Sequence, residues 1–156
     1  MPPLRKSAVI AAVRAHLQAR YDRIVGAALE ARGYATDPGS KAESKYDTRS
    51  LEASYLAIGQ GEQADELAAA LRDFDAFDWP DFPQEGRVAL GALVALDFDG
   101  DQVFALIAPG GGGVTCRFEG VEVTVVTPQA PLYARIAGRQ AGETLPGPPL
   151  RILSVC

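Results

Sequence analysis

From Leu4 to about Arg32, apolar residues return every three or four positions, with Ile10, Val13, Leu17, Tyr21, Ile24 and Ala28 on one stripe, the period of an amphipathic helix. Gly33 offers a stop. Asp37-Pro38-Gly39 follows as turn chemistry, proline presetting φ and glycine tolerating positive φ. Ser40-Lys41-Ala42-Glu43 then spells a capping box, its hydroxyl and carboxylate suited to the free amides of a helix start. A second helix is therefore expected from near Ser40, with a stripe of Leu51, Tyr55, Ile58, Ala64 or Asp65, Leu67 and Leu71. Gly59 and Gly61 interrupt it at a cost of about 1 kcal/mol each relative to alanine. The apolar phase survives across them, so one continuous helix is expected, with a kink as the alternative. At about 1.5 Å per residue each helix would extend roughly 40 Å. That length exceeds a compact core, and residues 1–76 are expected to form a long antiparallel helical hairpin of coiled-coil character.

After Gly86 the period changes from helical to two. Val94, Leu96 and Phe98 alternate with smaller or polar neighbours, followed by Val103, Ala105 and Ile107, then Val114, Cys116 and Phe118, then Val121, Val123 and Val125. Asp99-Gly100 is a strong tight-turn signal and Glu119-Gly120 a weaker one. The pattern predicts a meandering antiparallel sheet over 86–156, closed by a last strand near Leu150 to Val155. Cys116 shares a side with Val114 and Phe118, as a core thiol would. Residues 77–85 read as a linker. Around it, Asp73, Asp75, Asp78 and Asp81 alternate with Phe74, Phe77, Trp79 and Phe82: either aromatics pinning the helices to the following domain, or a patch for a partner. The fold class is α+β, helices first and a small sheet domain second.

The chain has 156 residues and a net charge of −5. Residues 1–72 carry net +1 and residues 73–156 net −6, so the second half lacks the cationic surface that phosphate backbones require. A protein partner is the better expectation. No apolar run reaches the roughly 18 to 20 residues of a membrane span, and Arg5 and Lys6 are not followed by a signal-peptide apolar core. A cytoplasmic protein is expected. Two cysteines, Cys116 and Cys156, make neither a disulfide framework nor a four-ligand zinc site. Pro109-Gly-Gly-Gly-Gly113 lacks the Lys-Ser/Thr and the following helix of a phosphate loop and is expected to be a flexible hairpin tip. His16 has no nucleophile or second histidine at motif spacing and reads as a helix-surface residue.

Three segments carry a resemblance. Gly86-Arg-Val-Ala-Leu-Gly-Ala-Leu-Val-Ala-Leu96 resembles the strand that opens the C-terminal domain of the bacterial Gre transcript-cleavage factors. Thr127-Pro-Gln-Ala-Pro-Leu-Tyr-Ala-Arg-Ile-Ala-Gly-Arg-Gln-Ala-Gly-Glu143 is similar to that family's Ser-Pro, short helix, Gly-Lys, Gly-Asp signature. Glu43-Ser-Lys-Tyr-Asp-Thr-Arg-Ser-Leu-Glu-Ala-Ser-Tyr55 resembles the start of its second hairpin helix. The resemblance implies an FKBP-like C-terminal domain that grips bacterial RNA polymerase and a hairpin that enters the secondary channel. There, tip carboxylates help to hold a second Mg²⁺ and a water, so that the polymerase hydrolyses backtracked RNA. Such a factor lends ligands and is not itself an enzyme; it binds no cofactor alone and meets DNA and RNA only through the transcription complex. A monomer is expected.

Carried onto this chain, the tip carboxylates would be Asp37, Glu43 and Asp47, with Mg²⁺ at Glu43 and Asp37 in the polymerase complex. The polymerase-binding residues would be Pro131, Leu132, Arg135, Gly138 and Arg139. The family's tip reads roughly Gly-Asp-Leu-Ser-Glu-Asn, whereas Gly39-Ser40-Lys41-Ala42-Glu43-Ser44 keeps the glutamate and puts serine where the aspartate belongs. Lys41, Lys45 and Arg49 bring opposing charge, and Glu43 has a capping role open to it. Pro131 suits the first position of a short helix and Gly138 its stop. Ala130 replaces the family's serine, and a cap hydroxyl is lost with it. Leu132 and Ile136 are expected to pack inward, leaving Arg135 and Arg139 exposed. The other functions left open are a channel-binding regulator without cleavage stimulation, an FKBP-like prolyl isomerase or chaperone, and a self-associating helical module.

Overall fold

A computed structural model describes the backbone of residues 4–36, 48–83 and 85–156. Two helices, α1 (Lys6–Thr36) and α2 (Thr48–Ala76), precede strands β1 (Leu93–Phe98), β2 (Asp101–Ile107), β3 (Thr115–Phe118) and β4 (Val121–Val126). A short helix α3 (Pro131–Ile136) and strands β5 (Thr144–Leu145) and β6 (Leu150–Val155) complete the chain. The α+β class and the helix-then-sheet order are as the periodicities predict. α1 runs through Gly33, which is therefore no stop. Its end falls two residues before Pro38, where the steric demand of the proline ring on the preceding residue opposes helix. α2 is continuous through Gly59 and Gly61. The capping box at Ser40 to Glu43 lies outside the described residues.

The chain divides into two compact units, one of residues 17–69 and one of residues 1–16 with 70–156. In the first, Leu17, Ala64 and Leu67 are buried, and Asp65 is exposed, so Ala64 and not Asp65 continues the stripe. The second unit contains the sheet, the start of α1 and the end of α2. Strand order is β3-β4-β2-β1-β6-β5.

The sheet is mixed, which corrects the expected antiparallel meander. β2 and β4 pair in parallel from Phe104 opposite Val123 to Ile107 opposite Val126, while β1 with β2, β3 with β4 and β1 with β6 are antiparallel. The cause lies in residues 108–114, which do not form a hairpin tip. Ala108 N–H donates to Val126 O (2.9 Å), Gly113 N–H to Val125 O (2.9 Å) and Val125 N–H to Val114 O (2.8 Å). This segment thus crosses the end of β4 and delivers β3 to the outer side. It also passes close to α2: a side chain at Gly110 would meet Asp73 Oδ2 at 3.0 Å and the Ala70 Cα at 3.3 Å. Both predicted tight turns form, with φ of 54° and 97° at Asp99-Gly100 and 50° and 78° at Glu119-Gly120, the doubly positive geometry that matches strand twist.

Period-two alternation buries two sets of strand residues. Val94, Leu96, Ala105, Ile107, Val126, Ile152 and Val155 belong to a cluster that also takes in Val88, Leu145, Leu150 and Ile136. Leu93, Ala95, Phe104, Leu106, Val123 and Val125, on alternate positions, are also buried. So are Val9 and Val13 of α1 and Ala70, Leu71 and Phe74 of α2 in the same unit.

The helix ends are fastened by the segment that the sequence marks as aromatic and acidic. Phe74 is 3% exposed and lies 5.2 Å, centroid to centroid, from Trp79, whose Nε1–H donates to Phe74 O (3.2 Å). Phe77 meets Trp79 edge-on at 4.9 Å. Arg14 forks onto Asp75 through two bonds of 2.5 and 2.8 Å. Lys6 Nζ donates to Pro80 O, and to Cys156 O at 3.2 Å, and sits 4.7 Å from the Phe82 ring centroid. Burial pushes the Lys6 pKa down, against the opposing pull of Cys156 and Asp81. Phe82 also packs against the main cluster of the sheet, and a side chain at Gly91 would meet Phe77 Cε1 at 3.1 Å, contacts of the kind that the pinning reading of the aromatics requires.

Candidate functional site

The segment after β4 holds the residues singled out for partner binding, and it is built from backbone geometry more than from side-chain caps. Ala130 N–H donates to Thr127 O (2.9 Å), turning the chain out of the sheet. Ala130 is extended and supplies no side-chain cap, as expected of alanine, and Pro131 opens α3. Its fixed φ and missing N–H suit that position, where an amide would lack an intrahelical partner. α3 closes with Ala137 N–H on Tyr133 O (2.8 Å), and Gly138 follows at φ 75°, a conformation costly for other residues. The exit is sewn to the start of the domain: Gly138 N–H donates to Val88 O (2.8 Å), Val88 N–H to Arg139 O (2.8 Å) and Arg87 Nη1 to Gly138 O (2.9 Å).

Ile136 is fully buried, and Leu132 and Tyr133 pack half-buried against the same cluster, so the inward-facing pair is as expected. Pro131, Ala134 and Gly138 are exposed. Of the two arginines expected to be exposed, one is not. Arg135 is half-buried, and its Nη2 donates to Pro146 O (3.1 Å) and Pro148 O (2.6 Å). A planar guanidinium can reach two carbonyls at once where a single amide cannot. Arg139 is exposed but faces Glu143 at 3.5 Å, and Glu143 also accepts from Gln140 N–H. The sequence does not reveal the Arg135 partners, which lie 11 and 13 residues downstream. The run Pro146-Gly-Pro-Pro149 is a turn signal that points to where unpaired carbonyls would be found.

At the beginnings of β2 and β4 an open groove of about 450 Å³ is lined by Gly100 to Val103, Arg117 and Gly120 to Glu122. Its lining carries two carboxylates and one guanidinium and no aromatic ring. Cys116 and Cys156 are free thiols, half-buried, and burial pushes both pKa values up, which lowers their nucleophilicity at neutral pH. His16 is half-buried on α1.

Asp37, Glu43 and Asp47 lie outside the described residues. Among the described residues no cluster of three or more His, Cys, Asp or Glu side chains is placed to hold a metal ion, and no helix is long and apolar enough to cross a membrane.

Neither a protein-family model nor a curated protein matches the chain. Solved structures similar to it include GreA factor homolog 1 (Gfh1) of Thermus thermophilus, at 14% identity over 92% of this chain and 94% of that one, with a TM-score of 0.37. A second structure of the transcription factor Gfh1 aligns at 16% identity over 91% of this chain and 92% of that one, with a TM-score of 0.36. Gfh1 of Thermus aquaticus aligns at 13% identity over 90% and 89%, with a TM-score of 0.34. The likeness is to Gre-factor homologues, and it is distant.

Proposed function

We propose that this chain is a Gre-like elongation factor that binds bacterial RNA polymerase through residues 86–156, an FKBP-like domain in this reading, and inserts α1 and α2 as an antiparallel hairpin into the secondary channel. The observation that carries the reading is the Thr127 to Glu143 segment. The stretch with the strongest resemblance to the family's signature folds as a surface helix, opened by an exposed Pro131 and ended by Gly138 in the left-handed region. Two helices of 31 and 29 residues give the arm its length. The factor is not an enzyme alone. Asp37, Glu43 and Asp47 are its carboxylates for the polymerase centre, where a shared Mg²⁺ would supply an activated water.

A channel-binding role without cleavage stimulation is the second reading. It is favoured by Ser40 in the aspartate position and by Lys41, Lys45 and Arg49 beside the carboxylates. Both readings are tested by adding the protein to stalled, backtracked bacterial polymerase. Shortened RNA that disappears with Glu43→Ala supports cleavage. Binding with unchanged RNA supports channel occupation, and failure to co-migrate with polymerase sinks both. The groove, lined without an aromatic ring, gives no support to a prolyl isomerase, whose substrate ring needs an apolar aromatic pocket.

A further inference from the structure

Lys6 opens α1, and its Nζ is the meeting point of stretches that are far apart in the chain. It donates to Pro80 O and to Cys156 O (3.2 Å), and it stands 4.7 Å from the centre of the Phe82 ring. Cys156 is in turn bonded to the start of β1: its N–H donates to Leu93 O (3.0 Å) and its O accepts from Leu93 N–H (2.8 Å). One side chain therefore ties the first turn of α1 both to the sheet and to the aromatic segment. Lys6 is only half-buried, so a small reagent can reach it. Two carbonyl oxygens and the face of an aromatic ring directed at one nitrogen favour positive charge there. Positive charge is what an amine develops as it attacks an acyl carbon. Burial also pushes the Lys6 pKa down, which enlarges the share of free, nucleophilic amine.

We propose that Lys6 is an acylation site, and that its modification by an acyl phosphate opens the clasp between α1, the aromatic segment and the end of β6. The amine attacks the carbonyl carbon and a C–N bond forms. The C–O bond to phosphate breaks, its electron pair leaving on phosphate, and the nitrogen gives its extra proton to water. Nothing is oxidised or reduced. The amide so formed is uncharged and keeps a single N–H, so the cation over Phe82 is lost and only one of the two carbonyls retains a donor. Loss of a proton alone would do less, because a neutral amine still has two N–H groups for Pro80 O and Cys156 O.

The test incubates the full chain with acetyl phosphate and follows acetylation of Lys6, Lys41 and Lys45, the three lysines of the sequence, by peptide mass mapping in buffer and in urea. Lys6 is expected to react several-fold faster than the other two in buffer and to lose that advantage in urea. Equal rates in buffer refute the site. A Lys6 advantage that persists in urea refutes it too, since it would then come from local sequence and not from the fold. The opening is read by amide hydrogen exchange on Lys6→Gln, which matches acetyl-lysine in charge, and on Lys6→Arg, which keeps the cation. Exchange at Leu93 and Cys156 should quicken about tenfold in Lys6→Gln and stay near that of the wild type in Lys6→Arg. Unchanged exchange in Lys6→Gln overturns the clasp even where Lys6 is acetylated. Should Lys6→Gln not fold, exchange is measured on wild-type protein acetylated at Lys6, where protection equal to that of the unmodified protein overturns the clasp in the same way.

Discussion

The root of the helices and the region around α3 belong to the same compact unit yet are held in different ways. At the root, large side chains are buried: Val9, Val13 and Phe74 are at most 3% exposed, and the charged pairs Arg14–Asp75 and Lys6 with its carbonyls lie around them. Around α3 only Ile136 is fully buried, with Leu132 and Tyr133 half-buried beside it, and the rest of the cohesion comes from backbone bonds and one arginine. Apolar burial stabilises in proportion to area, whereas a hydrogen bond contributes about 1 kcal/mol net. The root is therefore a source of global stability, and the α3 region is a surface whose shape is set by a few directional bonds.

Phe74→Ala should break the root most severely, with a loss of about 3–5 kcal/mol in denaturant unfolding; a loss below about 1 kcal/mol would show that Phe74 does not anchor α2. Ile136→Ala should cost about 2–4 kcal/mol, because this is the fully buried side chain among those that couple α3 to the main cluster, and chemical denaturation of the purified variant checks it. Trp79→Phe keeps an aromatic ring but removes the Nε1–H bond to Phe74 O and part of the indole's packing, for an expected loss of at least about 1 kcal/mol; unchanged stability would mean that neither the bond nor the second ring matters.

The smallest effect is electrostatic. The hydrogen bond from Arg14 holds the Asp75 carboxyl below its ordinary value. A carboxylate whose folded pKa is depressed stabilises the protein above its unfolded value of about 3.9 and loses that contribution as pH falls through the folded value. Asp75→Asn should therefore flatten the acid limb of the stability curve below about pH 4 and leave it nearly parallel above. Both partners are well exposed, so added salt should shrink the difference. An acid limb identical to that of the wild type would remove Asp75 from the account.

Legibility in the sequence followed the range of the interactions involved. The strands of the two hairpins, the turns at Asp99-Gly100 and Glu119-Gly120, and the bounds of α3 were readable because alternation, positive-φ residues and a helix-opening proline act within a few positions. The parallel pairing of β2 with β4 was not, since the alternation of each strand is the same whichever neighbour it takes. Gly33 misled as a stop because a helix-interior glycine costs only about 1 kcal/mol and the proline beyond it is the stronger punctuation. The engagement of Arg135 was hidden because an arginine on a short amphipathic helix looks alike whether it faces water or a distant carbonyl. Of the candidate site, the helix-and-glycine frame was therefore legible and the direction of its charges was not.

The strand order also has a bearing on behaviour in concentrated solution. The rims of the sheet are β3, four residues long and carrying an outward-facing Arg117, and β5, only two residues long. An uncovered rim recruits strands from other molecules when it is long, flat and uncharged. Here one rim presents a cation and the other is almost too short to register with a neighbour, so crowding of folded molecules gives little purchase for fibril-like stacking.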